Sequence, residues 1–429
     1  MLRSFIPVDP NSHFPIQNLP YGVFRRNDHH SPRVGVAIGE YVLDLAVLEE
    51  AGLFNSSVVA GKKLFNRSSL NAFIDLGYQA WHEVRTILQK LLSADDPTLK
   101  ENSRLCDEAI VSQKEIELLL PVEIGNYTDF YASKEHASNV GTIFRGKENA
   151  LMDNWVHLPV GYHGRASSVV VSGTHIHRPW GQIKPSDQPY PQFAPTQQLD
   201  FELEIGWFVG PGNKLGEPIA MDEAEKQIFG LVLVNDWSAR DIQAWEYRPL
   251  GPFLAKNFAT SISPWVVPFA AIEPFRVPGP EQNPQPLPYL QQKRDGAFDI
   301  HLEAYLQADG DDRAKRICVT NFRYMYWSMS QQIVHHTITG CNLKSGDLLA
   351  SGTISGPTKD ARGCLLELTW GGKEPIRLES GKERVWLEDG DQLTITGWCQ
   401  GDGYRIGFGE VTGRILPPVK LNHVPSSRS

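Results

Sequence analysis

Cysteine is scarce in this chain of 429 residues. The five present, Cys106, Cys318, Cys341, Cys364 and Cys399, are odd in number, widely scattered and never spaced as Cys-x-x-Cys. This excludes a disulfide framework and a zinc ribbon and leaves reduced core thiols as the reading. No run of eighteen apolar residues occurs, so no membrane-spanning helix is expected. The start, Met1-Leu-Arg-Ser-Phe-Ile-Pro, has no long apolar stretch after Arg3, which argues against a secretory leader and for a cytoplasmic protein. Positive charge is in deficit as well, with a formal net charge of -9. Nucleic acid and anionic membrane surfaces are therefore poor partners. Internal repeats and low-complexity segments are lacking.

An apolar fraction of 41% supports sizeable cores, and the length corresponds to about two or three domains. Residues 20–46 read as short strands, Tyr21-Gly-Val-Phe, Val34-Gly-Val-Ala-Ile-Gly and Tyr41-Val-Leu-Asp-Leu, separated by turn residues. From Ser69 the period becomes helical: Leu70, Phe73 and Ile74, then Trp81, Val84, Ile87, Leu88, Leu91 and Leu92, with an interruption at Gly77. Residues 94–117 are polar, and a domain boundary falls between 118 and 119. Beyond it, strand-like runs dominate: Ser168-Val-Val-Val-Ser, Leu231-Val-Leu-Val-Asn, Trp265-Val-Val-Pro, Leu365-Leu-Glu-Leu-Thr-Trp and Gln392-Leu-Thr-Ile-Thr-Gly. The larger domain is thus mainly β. The proline-rich stretches 179–195 and 275–290 read as long surface loops, and the tail after Leu416 as an end without regular structure.

Four carboxylates stand in apolar, strand-like contexts: Asp129 in Tyr-Thr-Asp-Phe, Glu202 and Glu204 in Phe-Glu-Leu-Glu-Ile, and Asp236 in Val-Asn-Asp-Trp. On a strand Glu202 and Glu204 share one face. A half-solvated strand has the same alternation, but Asp129 and Asp236 sit where an unpaired anion is costly to bury. All-oxygen ligands suit a hard cation such as Ca²⁺ or Mg²⁺, and no histidine and cysteine cluster has zinc spacing.

Other chemistry-bearing residues flank this set. His136, in Ser133-Lys-Glu-His-Ala, follows Asp129 by a short polar stretch and is a candidate general base, although a lone histidine there is also ordinary surface. Arg240, Gln243 and Tyr247 line one face of a helix, as an oxyanion-holding set or as a solvated face. Lys256 lies amid apolar residues in Pro249-Leu-Gly-Pro-Phe-Leu-Ala-Lys, as a structural ion pair or a proton donor. Small residues in Leu349-Ala-Ser-Gly-Thr-Ile-Ser-Gly allow close backbone approach to a ligand. Glu367, read as a strand residue, needs a partner, and His136 is one candidate. His335 and His336 read as helix packing rather than ligation.

Several segments together resemble the fumarylacetoacetate hydrolase family: Tyr127-Thr-Asp-Phe-Tyr, Phe144-Arg-Gly-Lys-Glu-Asn, Leu158-Pro-Val-Gly-Tyr-His-Gly-Arg-Ala-Ser-Ser, Glu202-Leu-Glu, Asn235-Asp-Trp-Ser-Ala-Arg-Asp-Ile-Gln, Leu254-Ala-Lys-Asn-Phe, Ser351-Gly-Thr-Ile-Ser-Gly and Gly401-Asp-Gly-Tyr-Arg. The resemblance runs essentially the whole length. It implies a mainly β, α+β architecture, with an SH3-like domain carrying helices over 1–118 and a mixed β-sandwich roll over 119–429, assembled as a homodimer. It implies metal-dependent hydrolysis of a carbon-carbon bond in a small diketo acid, fumarylacetoacetate, at the end of tyrosine and phenylalanine degradation. By position, Asp129, Glu202, Glu204 and Asp236 would hold Ca²⁺ or Mg²⁺, with Lys256 and Thr260 at a second ion position. Tyr131, Arg145, Gln243, Tyr247 and Thr353 would contact substrate. His136, oriented by Glu367, would be the base, with Arg240, Gln243 and Lys256 stabilising the oxyanion. The rival readings are a related enzyme acting on an acylpyruvate or other keto acid, and a non-catalytic divalent-cation-binding β protein.

Overall fold

The strand-like runs at the start of the chain form an antiparallel sheet. In the computed structural model, which describes residues 2–27 and 31–421, its five strands run in the order Ile110–Ser112, Tyr41–Asp44, Arg33–Ile38, Tyr21–Arg26, Ile116–Leu119. The turn expected between the first two strands lies partly outside the described residues. The helical period is realised as Asn71–Ile74 and Tyr78–Leu92. Gly77 separates them with φ +82°, a left-handed conformation that glycine adopts without steric cost.

The centre of the molecule is an eight-stranded mixed sheet. Its main path runs Gly161–His163, Tyr127–Phe130, Leu348–Ala350, Leu203–Val209, Ile228–Asp236, Thr260–Ile262, Val169–Val171, and Val267–Pro268 pairs with Ile228–Asp236 off this path. Every residue of Leu203–Val209 and Ile228–Asp236 is buried, because both faces of the sheet are covered.

Side-chain alternation and strand register assign the two faces. Tyr127, Leu348, Phe208, Val232, Val234 and Ile262 lie on one face. They merge with the core of the N-terminal sheet and helices, including Tyr21, Val23, Phe73, Trp81 and Leu88. Ile205, Trp207, Leu231 and Leu233 lie on the other face and pack against Leu302, Ala304, Ile395, Ile406 and Phe408. Those residues belong to a second five-stranded sheet, in the order Lys315–Asn321, His301–Gln307, Gln392–Gly401, Tyr404–Leu416, Ile176–His177. The central and second sheets thus form a sandwich, and the N-terminal module closes the outer face.

Two expectations are corrected and a third holds in part. Leu365–Leu368 is a helix, not a strand: leucine and glutamate are strong helix formers, and the Asp200 carboxylate accepts the backbone N–H groups of Leu365 and Leu366 at its start. Residues 179–195 are not simply a loop, since Trp180–Ile183 and Gln192–Pro195 pair as a two-stranded ribbon, an edge arrangement that tolerates proline. Residues 275–290 remain largely irregular but contain the strand Arg276–Val277 and a 3₁₀ turn at Pro288–Leu290. Of the tail, 417–421 carry no regular structure, and 422–429 lie outside the described residues.

Phe229, where the central sheet meets the N-terminal module, is caged by Tyr21, Phe73 and Trp81 at ring-centroid distances of 5.6, 5.7 and 5.2 Å. Phe229→Ala is expected to cost about 3–5 kcal/mol, measured by denaturant unfolding. A midpoint unchanged within error would show that this contact does not hold the two parts together.

Candidate active site

Asp129 and Glu204 lie on the outer face of the central sheet, in register with Ala350 and Val234, and Asp236 ends the adjoining strand. Glu202 directly precedes the Leu203–Val209 strand. Oxygen atoms of Asp129, Glu202, Glu204 and Asp236 all fall within 4.8 Å of one another, and all four residues are buried. The half-solvated-strand alternative is thereby excluded. The apolar N-terminal core covers the rest of the same face, so water does not screen these charges from behind.

Two cations neutralise part of the cluster. The Lys256 ammonium lies 2.6 Å from Glu202 and 2.7 Å from Asp236. Arg240 Nη1 lies 2.7 Å from Glu202, and its Nε donates to Asp200 at 2.8 Å. Burial pushes the Glu202 carboxyl up, but Lys256 and Arg240 pull it below the usual carboxylate range. Burial alone would lower Lys256, yet Asp236 and Glu202 hold its ammonium above the ordinary lysine range. Thr260 Oγ1 donates to Asp236 at 3.0 Å and Tyr162 donates its phenol to Asp236 at 3.2 Å.

Asp129 and Glu204 remain without a cationic side chain among the described residues. Burial first, and the neighbouring carboxylates second, push both well above the usual range. Among the described residues, Asp129 Oδ1 and Glu204 Oε1 are buried with no hydrogen-bond partner. Two orphaned oxygens on the strands that flank Leu348–Ala350, backed by two further carboxylates, fit a hard divalent cation. The loop that follows Leu348–Ala350 completes this wall: Gly352 donates its N–H to Glu204 at 3.1 Å. Gly352 has φ +77°, and a Cβ there would meet the Phe130 carbonyl oxygen at 2.1 Å, so this close approach requires glycine.

His136 sits in the first turn of the Lys134–Arg145 helix, capped by Ser133. Its Nδ1 lies 2.6 Å from Glu367 Oε2. Asn139, Ser355 and Cys364 also donate to Glu367, at 2.8, 2.8 and 3.2 Å. Burial would raise the Glu367 carboxyl, but His136, Asn139 and Ser355 bring it below the ordinary range. An ionised carboxylate accepts only, so Nδ1 is the donor to Glu367, and in the neutral imidazole the lone pair lies on Nε2. A cysteine, a histidine and a glutamate thus meet here, but as a satisfied hydrogen-bonded group.

A cavity of about 400 Å³ joins these parts. Asp129, Glu202, Lys256, Arg240 and His136 line it, as do Tyr131, Arg145, Gln243, Tyr247 and Thr353. Its size suits a small organic molecule. Arg240 Nη1 donates to Gln243 at 3.1 Å, whereas Arg240 Nη2 and Thr353 Oγ1 are buried without partners. Arg145 is tied to the carbonyls of Asn149 and Ala150 at 3.0 and 2.8 Å. The two helical groupings and the acidic set, read separately in the sequence, therefore share one space. Asp200, Asn139, Ser355 and Cys364 were not singled out. Asp200 extends the Glu202 and Glu204 alternation by one more step, a signal present in the sequence; the other three carry none. His336, by contrast, packs outside the cavity lining, with Nε2 2.9 Å from Thr128 Oγ1.

Comparison with known proteins covers both parts of the chain. The fumarylacetoacetase N-terminal family matches residues 17–121, and the fumarylacetoacetate (FAA) hydrolase C-terminal family matches residues 126–416. The fumarylacetoacetase of Bos taurus is 56% identical over 419 residues, 97% of this chain and 100% of that protein. The fumarylacetoacetase of Arabidopsis thaliana is 52% identical over 417 residues, 97% of this chain and 99% of its own. A solved fumarylacetoacetate hydrolase from psychrophilic Exiguobacterium antarcticum superposes with a TM-score of 0.52 at 17% identity, covering 93% of this chain and 99% of that one. That likeness is one of fold.

The raised carboxyls have a measurable consequence. Without an ion, Asp129 and Glu204 keep protons that the unfolded chain releases near pH 4, so their contribution to stability is lost as pH rises above about 4. A divalent ion replaces those protons and binds more tightly as pH rises. Thermal midpoints taken with and without chelator from about pH 5 to about pH 8 should diverge with increasing pH. A pH-independent gap would mean that both carboxyls ionise without the ion.

Proposed function

Since the chain belongs to the fumarylacetoacetate hydrolase family, we propose that His136 and the carboxylate cluster carry out its reaction, hydrolysis of 4-fumarylacetoacetate to fumarate and acetoacetate. The chain is an enzyme, a metal-dependent hydrolase of carbon-carbon bonds in ketonic substances, acting in tyrosine and phenylalanine degradation. The observation that carries the residue assignment is the opening of a buried, charge-deficient carboxylate cluster and a His136–Glu367 pair onto one cavity.

His136 Nε2 takes a proton from water, and Glu367 holds the resulting imidazolium in place. The hydroxide attacks the ketone carbonyl of the fumaroyl group. Arg240 Nη2, an unpaired buried donor, meets the developing oxyanion together with Gln243 and Lys256. The carbon-carbon bond then breaks, its electron pair leaves as the acetoacetate enolate, and Lys256, protonated at neutral pH, supplies the proton. A bound divalent cation contributes Lewis acidity toward the β-diketone. Tyr131, Arg145, Gln243, Tyr247 and Thr353 hold the substrate. Ca²⁺ or Mg²⁺ at Asp129, Glu202, Glu204 and Asp236 is supported by the all-oxygen donor set. The Lys256 ammonium and Thr260 mark the second ion position, where the lysine acts as a fixed cation.

The finer context follows the same reading. A homodimer is supported by the exposed apolar residues Trp245, Leu250, Phe253 and Leu254 beside the cavity. The five free cysteines are in keeping with a reducing cytoplasm. The net charge of -9 disfavours nucleic acid, and no helix among the described residues is long and apolar enough to cross a membrane. A division into 1–118 and 119–429 is supported by the strand Ile116–Leu119, which completes the N-terminal sheet and carries its edge one residue past that division, to Leu119.

The test follows the diketone absorbance of fumarylacetoacetate, beside a short acylpyruvate, before and after chelation. Rapid loss with fumarylacetoacetate, abolished by chelation and restored by Ca²⁺ or Mg²⁺, is expected, and preference for the acylpyruvate would overturn the substrate. His136→Ala should lower turnover by about 10²- to 10⁴-fold; near-wild-type turnover would remove it as the base.

A further inference from the structure

The structure assigns Asp200 as a positioning residue that sets Arg240 and Glu367 in one frame, an assignment that rests on the reaction proposed above. Asp200 is fully buried and is not among the residues lining the cavity. Its Oδ2 accepts from Arg240 Nε at 2.8 Å and from Leu366 N–H at 3.0 Å. Its Oδ1 accepts from Leu365 N–H at 2.7 Å and from Phe201 N–H at 2.8 Å. Four donors use the acceptor capacity of one carboxylate.

Three of these bonds lead to the reacting groups. By gripping Nε, Asp200 orients the Arg240 guanidinium so that Nη1 reaches Glu202 and Gln243 while Nη2 is left unpaired. By holding Leu365 and Leu366, it fixes the start of the short helix in which Glu367 follows, and Glu367 orients His136. The oxyanion donor and the partner of the base therefore depend on a single anion that contacts neither substrate nor cavity. Asparagine is nearly isosteric but presents an amide N–H on one side. Whichever way it turns, that N–H opposes either Arg240 and Leu366 or Leu365 and Phe201.

The experiment compares Asp200→Asn in the wild-type background and in an Arg240→Gln/Glu367→Gln background, with fumarylacetoacetate as substrate and folding checked by circular dichroism. In the wild-type background kcat should fall by about 10²-fold or more, the scale for loss of one oxyanion-hole donor, with KM changed by much less. In the second background the same substitution should change kcat by less than about threefold, because residues acting as a unit are not additive. An equal factor in both backgrounds, or a loss confined to KM, would overturn the assignment. If Asp200→Asn does not fold, Asp200→Glu keeps the charge but shifts the acceptors by one methylene, and the same outcomes are read on it. The wild-type enzyme separates the two readings: turnover of fumarylacetoacetate with an undiminished Asp200→Asn overturns the role of Asp200 alone, whereas no wild-type turnover overturns the proposed reaction.

Discussion

Holding four carboxylates together out of water is the constraint on which the rest of this structure depends. Desolvation and mutual repulsion both oppose the ionised state, and each must be offset by nearby positive charge. Lys256 and Arg240 offset Glu202 and Asp236, which leaves Asp129 and Glu204 with oxygens that no side chain satisfies. The cluster is therefore incomplete by itself, and the missing part has the charge and hardness of a divalent cation.

The architecture explains how such a cluster persists. Its residues occupy one end of a sheet face, and the remainder of that face is sealed by the N-terminal module through Tyr127, Val232, Val234, Ile262 and Leu348. The opposite face is sealed by the second sheet. Strands covered on both faces are stiff and dry, which keeps the carboxylates close and makes their charges effective at the cavity. The N-terminal module thus belongs to the metal site energetically, although it contributes no side chain to it.

The groups proposed as catalytic are arranged around this anionic floor by hydrogen bonds of long sequence range. Glu367 joins His136 across 231 residues, and Asp200 joins the Leu365–Leu368 helix to Arg240 across 165 and 40 residues. These links tie separate chain segments into one rigid wall. The family comparison and this chemistry agree on a hydrolase, and a cation-binding protein without catalysis gives no physical role to His136, Glu367 and the unpaired Arg240 Nη2.

Much of this was legible from the residues. The period of three and four with a break at Gly77 determined the N-terminal helices, and apolar runs such as Leu231-Val-Leu-Val determined central strands, because burial on both faces demands continuous apolar sequence. The four carboxylates stood out for the same reason, as charges where such strands allow none. Short segments were less determined. Leu365–Leu368 is compatible with either period, and the prolines of 179–195 signal irregularity but are tolerated on an edge. Only tertiary structure decided that His136 meets Glu367, that Asp200 serves a helix far along the chain, and that Asp129 and Glu204 lack a cationic side chain among the described residues. Local sequence specifies which residues are apolar, charged or turn-forming, but electrostatic pairing depends on distances through space, and those exist only once the sheets have packed.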